Sequence, residues 1–551
     1  MVAYVLEAVT FWTFEVAEIG RAARSMLSSS WDGNDNKAVM ADVSTGLVSG
    51  ARRLSPDALD ARVRRIATGL AVLGVAPGQC VAILMRNDIA FMEAAYAAQT
   101  LGAYAVPINW HFKAEEIAYI LADCGTSVLI GHADLLSPVA ADIPVHVTLI
   151  AVPTPPEVAA AYGLAPVSAR AVPRAVDYEP WLQRQPAYAG EMLMPSLTMF
   201  YTSGTTGHPK GVRRPAPTPQ QMVAIERMRR DIFGIVPGIR SVVPGPLYHS
   251  APNAFAMRAG RVGEVMVLMP RFDPVALLEL IERERLDTMF MVPTMFIRLL
   301  KLPEDVRRRY DLSSLRFVIH AAAPCPHEVK RAMIDWWGPV ISEFYGSTES
   351  SAVTLASSAD TLAKPGTVGR AVEGAELRIL DDDGRILPAG EVGEIFTRFT
   401  ELPDFTYHNR PDERAKVDRE GFITSGDVGY LDEDGYLFLC DRKRDMVISG
   451  GVNIYPAEIE AVLHAMPGVK DCAVFGIPDA EFGEKLMAVV EPADGGGISA
   501  EDVRAHLRAH LADYKVPRAI EIGRDLPRED SGKIFKRRLR DPYWHMAGRR
   551  I

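Results

Sequence analysis

A chain of 551 residues with a formal net charge of −10 exceeds what one hydrophobic core usually supports, roughly 250–300 residues, so two or more domains are expected. Its 60 Lys and Arg against 70 Asp and Glu argue against nucleic acid as a partner. Five scattered cysteines (Cys80, Cys124, Cys325, Cys440, Cys472), with no CxxC pair, argue against a disulfide framework or a zinc site and suit a reducing cytoplasm.

The opening stretch MVAYVLEAVTFWTFEVAEIG is apolar but is interrupted by Glu7, Glu15 and Glu18. It lacks a basic start and a small-residue cleavage site, so it does not read as a signal peptide. No uninterrupted apolar run is long enough to span a bilayer. Peripheral membrane contact and homo-oligomerisation stay open. The first 50 residues receive no role.

From residue 57 the pattern becomes regular. DALDARVRRIATGLAVL (57–73) places Leu59, Val63, Ile66, Leu70 and Leu73 on one helical face. CVAILM (80–85) reads as a buried strand, followed by a helix over 90–104, a strand AVPIN (105–109), a helix AEEIAYILADCG and a strand SVLIGHA (127–133). This alternation predicts parallel sheet in an α/β architecture. The Pro- and Ala-rich region 153–174 reads as a surface excursion. The character changes after GYLFLCDRKRDMVISGG (435–451), where a helix PAEIEAVLHAM, strands CAVFGI and KLMAVVEP and a capped helix at Ser499 and Asp502 outline a small α+β unit. The expected division is a large N-terminal α/β domain, 1–443, and a C-terminal domain, 444–551.

The chemistry begins at YTSGTTGHPKGV, Tyr201 to Val212. It is not a Walker A loop: counted from Gly204, Pro209 stands where the second glycine belongs, and Gly211 where the hydroxyl after the lysine belongs. A flexible linker is the bland alternative. Against it stand Lys210, the lone proline and the apolar lead-in MPSLTMFY. Hydroxyls of Thr202, Ser203, Thr205 and Thr206 can donate to phosphate oxygens, and Gly204 and Gly207 let backbone N–H groups approach closely.

The motifs that follow are PLYH (246–249), EFYGSTES (343–350), GEVGEI (390–395), TSGDVGYLDEDGY (424–436), DRKRDMVISGGVNIYPAEIE (441–460) and DLPREDSGKIFKRRLR (525–540). In this order they resemble the adenylate-forming superfamily of acyl-CoA synthetases, adenylation domains and luciferases, over nearly the whole chain from residue 50 onward. The resemblance implies a large domain of parallel-sheet α/β subdomains with a small, mobile α+β lid. It implies ATP, Mg²⁺ and coenzyme A as cofactor and co-substrates, and a small carboxylic acid joined first to AMP and then to a thiol.

The same resemblance implies the site. Lys533 acts at the reacting carboxylate and α-phosphate. Glu349 holds Mg²⁺ as a hard oxygen ligand. Tyr345, Gly346 and Thr348 adjoin the nucleotide, with Asp427 at the ribose hydroxyls and Arg442 beside them. His249 shields the carboxylate, and Asn253 and Ala322 line the acyl pocket. Arg444 is the hinge, with Gly450 and Gly451 beside the pantetheine arm. The segment HAAAPCP (320–326) departs from the glycine-rich pattern of the family, so its alanine β-carbons are expected to narrow or shorten the pocket.

An apolar acid, whether fatty, aromatic or alicyclic, fits the Met-, Phe- and Val-rich run after His249. Arg258 would instead suit a second carboxylate. The competing readings are a stand-alone ligase that loads a carrier protein and a non-catalytic nucleotide sensor. An amino-acid-activating domain is disfavoured, because no aspartate stands near PLYHS to pair with a substrate ammonium.

Overall fold

The computed structural model describes residues 45–165, 172–193, 197–202, 209–442, 445–449, 452–479, 482–493, 497–523, 526–528 and 534–546. The first expected helix spans Pro56–Val72. The Ser55 hydroxyl accepts from the Ala58 N–H, Pro56 opens the first turn, and Leu59, Val63, Ile66 and Leu70 are buried. Leu73, expected on the same face, is the half-buried residue that ends the helix.

The expected α/β alternation follows. Strands Tyr104–Pro107, Cys80–Leu84, Val128–His132, Thr148–Val152 and Val176–Asp177 form an all-parallel sheet in that spatial order. The continuous burial of the first three explains their unbroken apolar runs, since helices cover both faces of such a sheet. Region 153–174 is more than a surface excursion. Helix Pro156–Tyr162 buries Val158 and Ala159, and Glu157 accepts from Ser49 and Arg52.

A second sheet of fourteen strands carries most of the remaining N-terminal chain. Strands Gly46–Ser49, Val265–Leu268, Arg240–Val243, Thr288–Met291, Phe317–His320 and Ile341–Ser347 run parallel. Beyond Ile341–Ser347 the direction reverses, because Ser351–Ala356 returns antiparallel to it. Ligand crevices in open α/β sheets form outside the carboxyl ends of parallel strands. The segments 246–249, 320–326 and 345–349 all leave such ends.

Behind this edge lies a buried ion pair, with the Lys330 ammonium 2.7 Å from Glu343 Oε2. His320, fully buried beside it, has a pKa far below the ordinary imidazole value because burial, and then the Lys330 charge, disfavour the imidazolium. The C-terminal residues form their own five-stranded sheet. Helix Pro456–Ala465 and the capped helix Ala500–His510 pack on it around Val447, Ile459, Leu463, Val474 and Leu507.

Candidate active site

Strands Phe200–Thr202 and Lys210–Arg213 pair antiparallel, with Thr202 opposite Lys210. The connecting residues Ser203, Gly204, Thr205, Thr206 and Gly207 lie outside the described residues. A third strand, Thr406–Tyr407, pairs with Lys210–Arg213 and closes a separate three-stranded sheet. This pairing carries two groups into the site. The Tyr407 hydroxyl donates to Glu349 Oε1 at 3.1 Å. Glu413, on the short helix Pro411–Lys416 just beyond, accepts from the Lys210 ammonium at 2.6 Å. That ammonium also lies 5.0 Å from the centre of the Tyr407 ring.

Glu349 sits in a turn fixed from several sides. The Ser347 hydroxyl accepts from the Glu349 and Ser350 N–H groups at 3.2 and 3.0 Å, and the Ser347 N–H donates to the Ser350 hydroxyl. The Thr202 hydroxyl reaches Glu349 Oε1 at 3.5 Å. Arg214 donates to the carbonyls of Thr348, Glu349 and Pro403. Burial lowers the Arg214 pKa to about 10, against the raising charges of Asp404 and Glu349. One carboxylate among hydroxyls is a hard oxygen set, which fits Mg²⁺ better than a soft cation.

Gly346 has a reason of its own. A β-carbon there would stand 1.8 Å from the Ser351 carbonyl oxygen, so the irregular pairing between Tyr345 and Gly346 admits no side chain. Tyr345 donates its hydroxyl to Asp427 Oδ2 at 2.8 Å. Asp427 is in turn the cross-strand partner of Arg442. Tyr345, Asp427 and the Arg442 backbone are therefore brought together, on one side of the turn that holds Thr348 and Glu349.

The acyl motif is organised differently. His249 begins helix Ser250–Val262, and its ring lies 4.4 Å from that of Tyr248. The Ser250 and Thr348 hydroxyls are 3.0 Å apart, joining this helix to the nucleotide turn. Asn253, expected along the acyl pocket, is only 1 % exposed. Its amide donates to the Leu247 carbonyl at 2.9 Å and accepts from the Thr198 hydroxyl at 3.2 Å, which makes it a brace for the loop. Asn87 completes that brace, donating to the Gly245 and Met269 carbonyls and accepting from the Leu247 N–H. Arg258 pairs with Glu226 at 2.7 Å, a carboxylate that it shares with Arg229. Ala322 is exposed and holds φ at 77°, a left-handed conformation that favours glycine.

Lys533, Arg444, Gly450 and Gly451 lie outside the described residues, as does the Arg442 side chain. Ser449, the neighbour of Gly450, lines a cavity of about 810 Å³ with Lys485, Arg504, Arg508, Phe482 and Arg518. The Arg518 guanidinium lies 4.1 Å from the centre of the Phe482 ring. Elsewhere in this half, ligand atoms of His464, Asp471 and Cys472 lie within 4.8 Å of one another. Arg528 donates to Asp471 at 2.5 Å and Lys536 is held at Glu460. That trio is already surrounded by cations, and no metal is assigned to it.

Sequence reasoning missed Arg214, Tyr407, Glu413 and Asn87. Arg214 had a faint signal, since it closes the apolar-to-basic run GVRRP. The others meet the site only through partners distant in the chain.

The pattern described as AMP-binding enzyme matches residues 31–401, and that of the AMP-binding enzyme C-terminal domain matches residues 458–533. The chain belongs to the AMP-binding enzymes, the adenylate-forming superfamily. It is 36 % identical to a feruloyl-CoA synthase of an Amycolatopsis species over 506 residues, 92 % of this chain and 97 % of that one. It is 34 % identical to the long-chain-fatty-acid–CoA ligase FadD13 of Mycobacterium tuberculosis H37Rv, over 89 % and 93 % of the two chains. Among solved structures, the amide bond synthetase McbA from Marinactinospora thermotolerans superposes with a TM-score of 0.77 at 30 % identity, covering 91 % of this chain and 96 % of that one. Within the superfamily this protein is an AMP-forming acyl-CoA synthetase, an acid–thiol ligase that uses ATP, Mg²⁺ and coenzyme A. Among the described residues no helix is long and apolar enough to cross a membrane.

Proposed function

We propose that the enzyme activates an apolar monocarboxylic acid of compact, aromatic shape, and that coenzyme A is the acceptor. The observation that carries the monocarboxylate is that Arg258 is held by Glu226, which also pairs with Arg229, rather than left free for a second carboxylate. The alanines at 321–323, read as narrowing the pocket, favour a compact acid over a long chain, and the likeness to a feruloyl-CoA synthase supports an aromatic one.

In this reading the adenine of ATP lies against Tyr345, its ribose hydroxyls donate to Asp427, and the residues around Thr202 and Lys210 hold the phosphates. Glu349 would hold Mg²⁺, which when bound neutralises charge on the phosphate oxygens. Tyr407 and Thr202 orient that carboxylate. His249 stands beside the acid, whose carboxylate oxygen attacks the α-phosphorus as pyrophosphate leaves. Lys533 supplies positive charge where negative charge grows on the phosphate oxygens. The C-terminal domain then turns about Arg444 and withdraws Lys533, and the thiol enters past Gly450 and Gly451. The basic, aromatic-lined cavity next to Ser449 suits the phosphorylated adenine nucleotide of coenzyme A, and so favours it over a carrier protein.

The test is pyrophosphate release across fatty acids, benzoates, cinnamates and a dicarboxylate, each with and without coenzyme A. Sustained turnover with cinnamates or benzoates only when coenzyme A is present is the expected result. Turnover with long fatty acids alone removes the aromatic assignment. A stoichiometric burst indifferent to coenzyme A removes the acceptor.

A further inference from the structure

Lys210 does not wait for phosphate as a free cation. One of its three N–H donors is directed at Glu413 Oε2, 2.6 Å away, and its side chain is 10 % exposed. The other carboxylate oxygen of Glu413 accepts from Lys416 at 2.5 Å. Lys416 is largely exposed, so solvent screens its hold and Lys210 is the stronger partner. These hydrogen bonds, Lys210 first and then Lys416, hold the Glu413 carboxyl at a pKa of about 2, so it is an anion throughout the working range. The arrangement is not incidental to a mobile surface side chain. Thr406 and Tyr407 pair with Arg213 and Val212, and the helix carrying Glu413 starts four residues after that strand.

We infer that Glu413 is a counter-anion that sets how tightly the site holds polyphosphate, by competing with the phosphates of ATP and with pyrophosphate for the Lys210 ammonium. The inference rests on the reading that Lys210 is a phosphate ligand. Binding ATP requires Lys210 to share or leave its carboxylate partner, and a fixed negative charge stays close to the incoming phosphates. When pyrophosphate leaves, Glu413 recaptures the ammonium, so release does not strand an unpaired cation in a buried place. Without such a competitor, a cation matched only to a polyanion would hold the product as firmly as the substrate.

Calorimetric titration with Mg-ATP and with Mg-pyrophosphate tests this on the full chain and its Glu413→Gln, Glu413→Asp and Lys210→Ala variants, each first shown to keep the wild-type melting temperature. Removing one charge from a partly solvated pair should tighten both ligands about three- to tenfold in Glu413→Gln, while Glu413→Asp stays near wild type. Unchanged or weaker binding in Glu413→Gln, with Lys210→Ala weakened tenfold or more, overturns the counter-anion and leaves the phosphate-binding reading standing. Unchanged binding in Lys210→Ala overturns that reading, and the inference with it.

Discussion

The two halves of the proposed site are built on different plans. In the nucleotide half, functional side chains bond to one another: Tyr345 to Asp427, Tyr407 and Thr202 to Glu349, Lys210 to Glu413. In the acyl half, the two asparagine side chains bond mainly to the backbone, Asn253 also accepting from the Thr198 hydroxyl. Asn87 and Asn253 tie down Gly245, Leu247 and Met269, and what faces the substrate is left to shape. The difference follows from the ligands. ATP presents the same charges and hydroxyls in every turnover, so fixed charged partners serve it. An apolar acid is recognised by the room left for it, and a buried polar group without a partner there would only weaken the fold.

Several substitutions would break or sharpen this contrast. The largest effect is expected from Lys533→Ala, which should slow acyl-AMP formation about 10²–10³-fold, as losing a fixed donor at a developing anion does. Calorimetry should find ATP affinity within about twofold of wild type; a matching collapse in affinity would make Lys533 a binding residue. Next is Asp427→Asn, which removes a charged acceptor and should weaken ATP about tenfold to a hundredfold. Tyr345→Phe should cost about 1 kcal/mol of ATP binding, and neither change should alter the order of preferred acids.

Acid should loosen the scaffold behind the acyl half. Burial alone would raise the Asp88 carboxyl, but the hydrogen bond and charge of His132, and then Arg52, outweigh it and hold its pKa at about 2, below the ordinary 3.8. A depressed carboxylate contributes stability above its unfolded pKa and loses it as pH falls toward the folded value. Urea unfolding should therefore show a loss of about 2 kcal/mol between roughly pH 5 and pH 2 that is absent in Asp88→Asn. Asn253→Ala leaves the Leu247 carbonyl without its side-chain donor and should destabilise by about 1–2 kcal/mol. A changed acid profile at full stability would return Asn253 to the pocket. Smallest is Ala322→Gly. It relieves a left-handed alanine worth roughly 1 kcal/mol, offset by a more flexible unfolded chain, and should raise kcat/KM for bulkier acids a few-fold.

Legibility divided along the same line. The residues proposed for the nucleotide stand at short spacing in their motifs, as in Tyr345 to Glu349 or Thr202 to Lys210, and the structure sets Tyr345 beside Asp427 and Thr202 opposite Lys210. The parallel sheet was equally visible in its buried runs from Cys80 to His132. Tyr407 and Glu413 could not be found that way, because each acts on a residue far away in the chain and strand pairing across such a distance leaves no local mark. Asn253 misled for the opposite reason. A polar residue one turn past His249 looks like a ligand contact until its backbone partner is known. Gly346 was placed by motif, but the close approach of the Ser351 carbonyl explains it.

The three-stranded sheet that joins Lys210–Arg213 to Thr406–Tyr407 also bears on how the enzyme is made. A lone two-stranded hairpin is marginally stable in water, and although Tyr104, Tyr119 and Tyr201 tie the first two strands to earlier parts of the chain, their sheet is complete only when the third arrives. On a ribosome adding about 5–20 residues per second, the nascent chain must grow by roughly another 190 residues after Lys210, some 10–40 s, before that strand exists. Until then the proposed ATP site lacks Tyr407 and Glu413, the partners of Glu349 and Lys210.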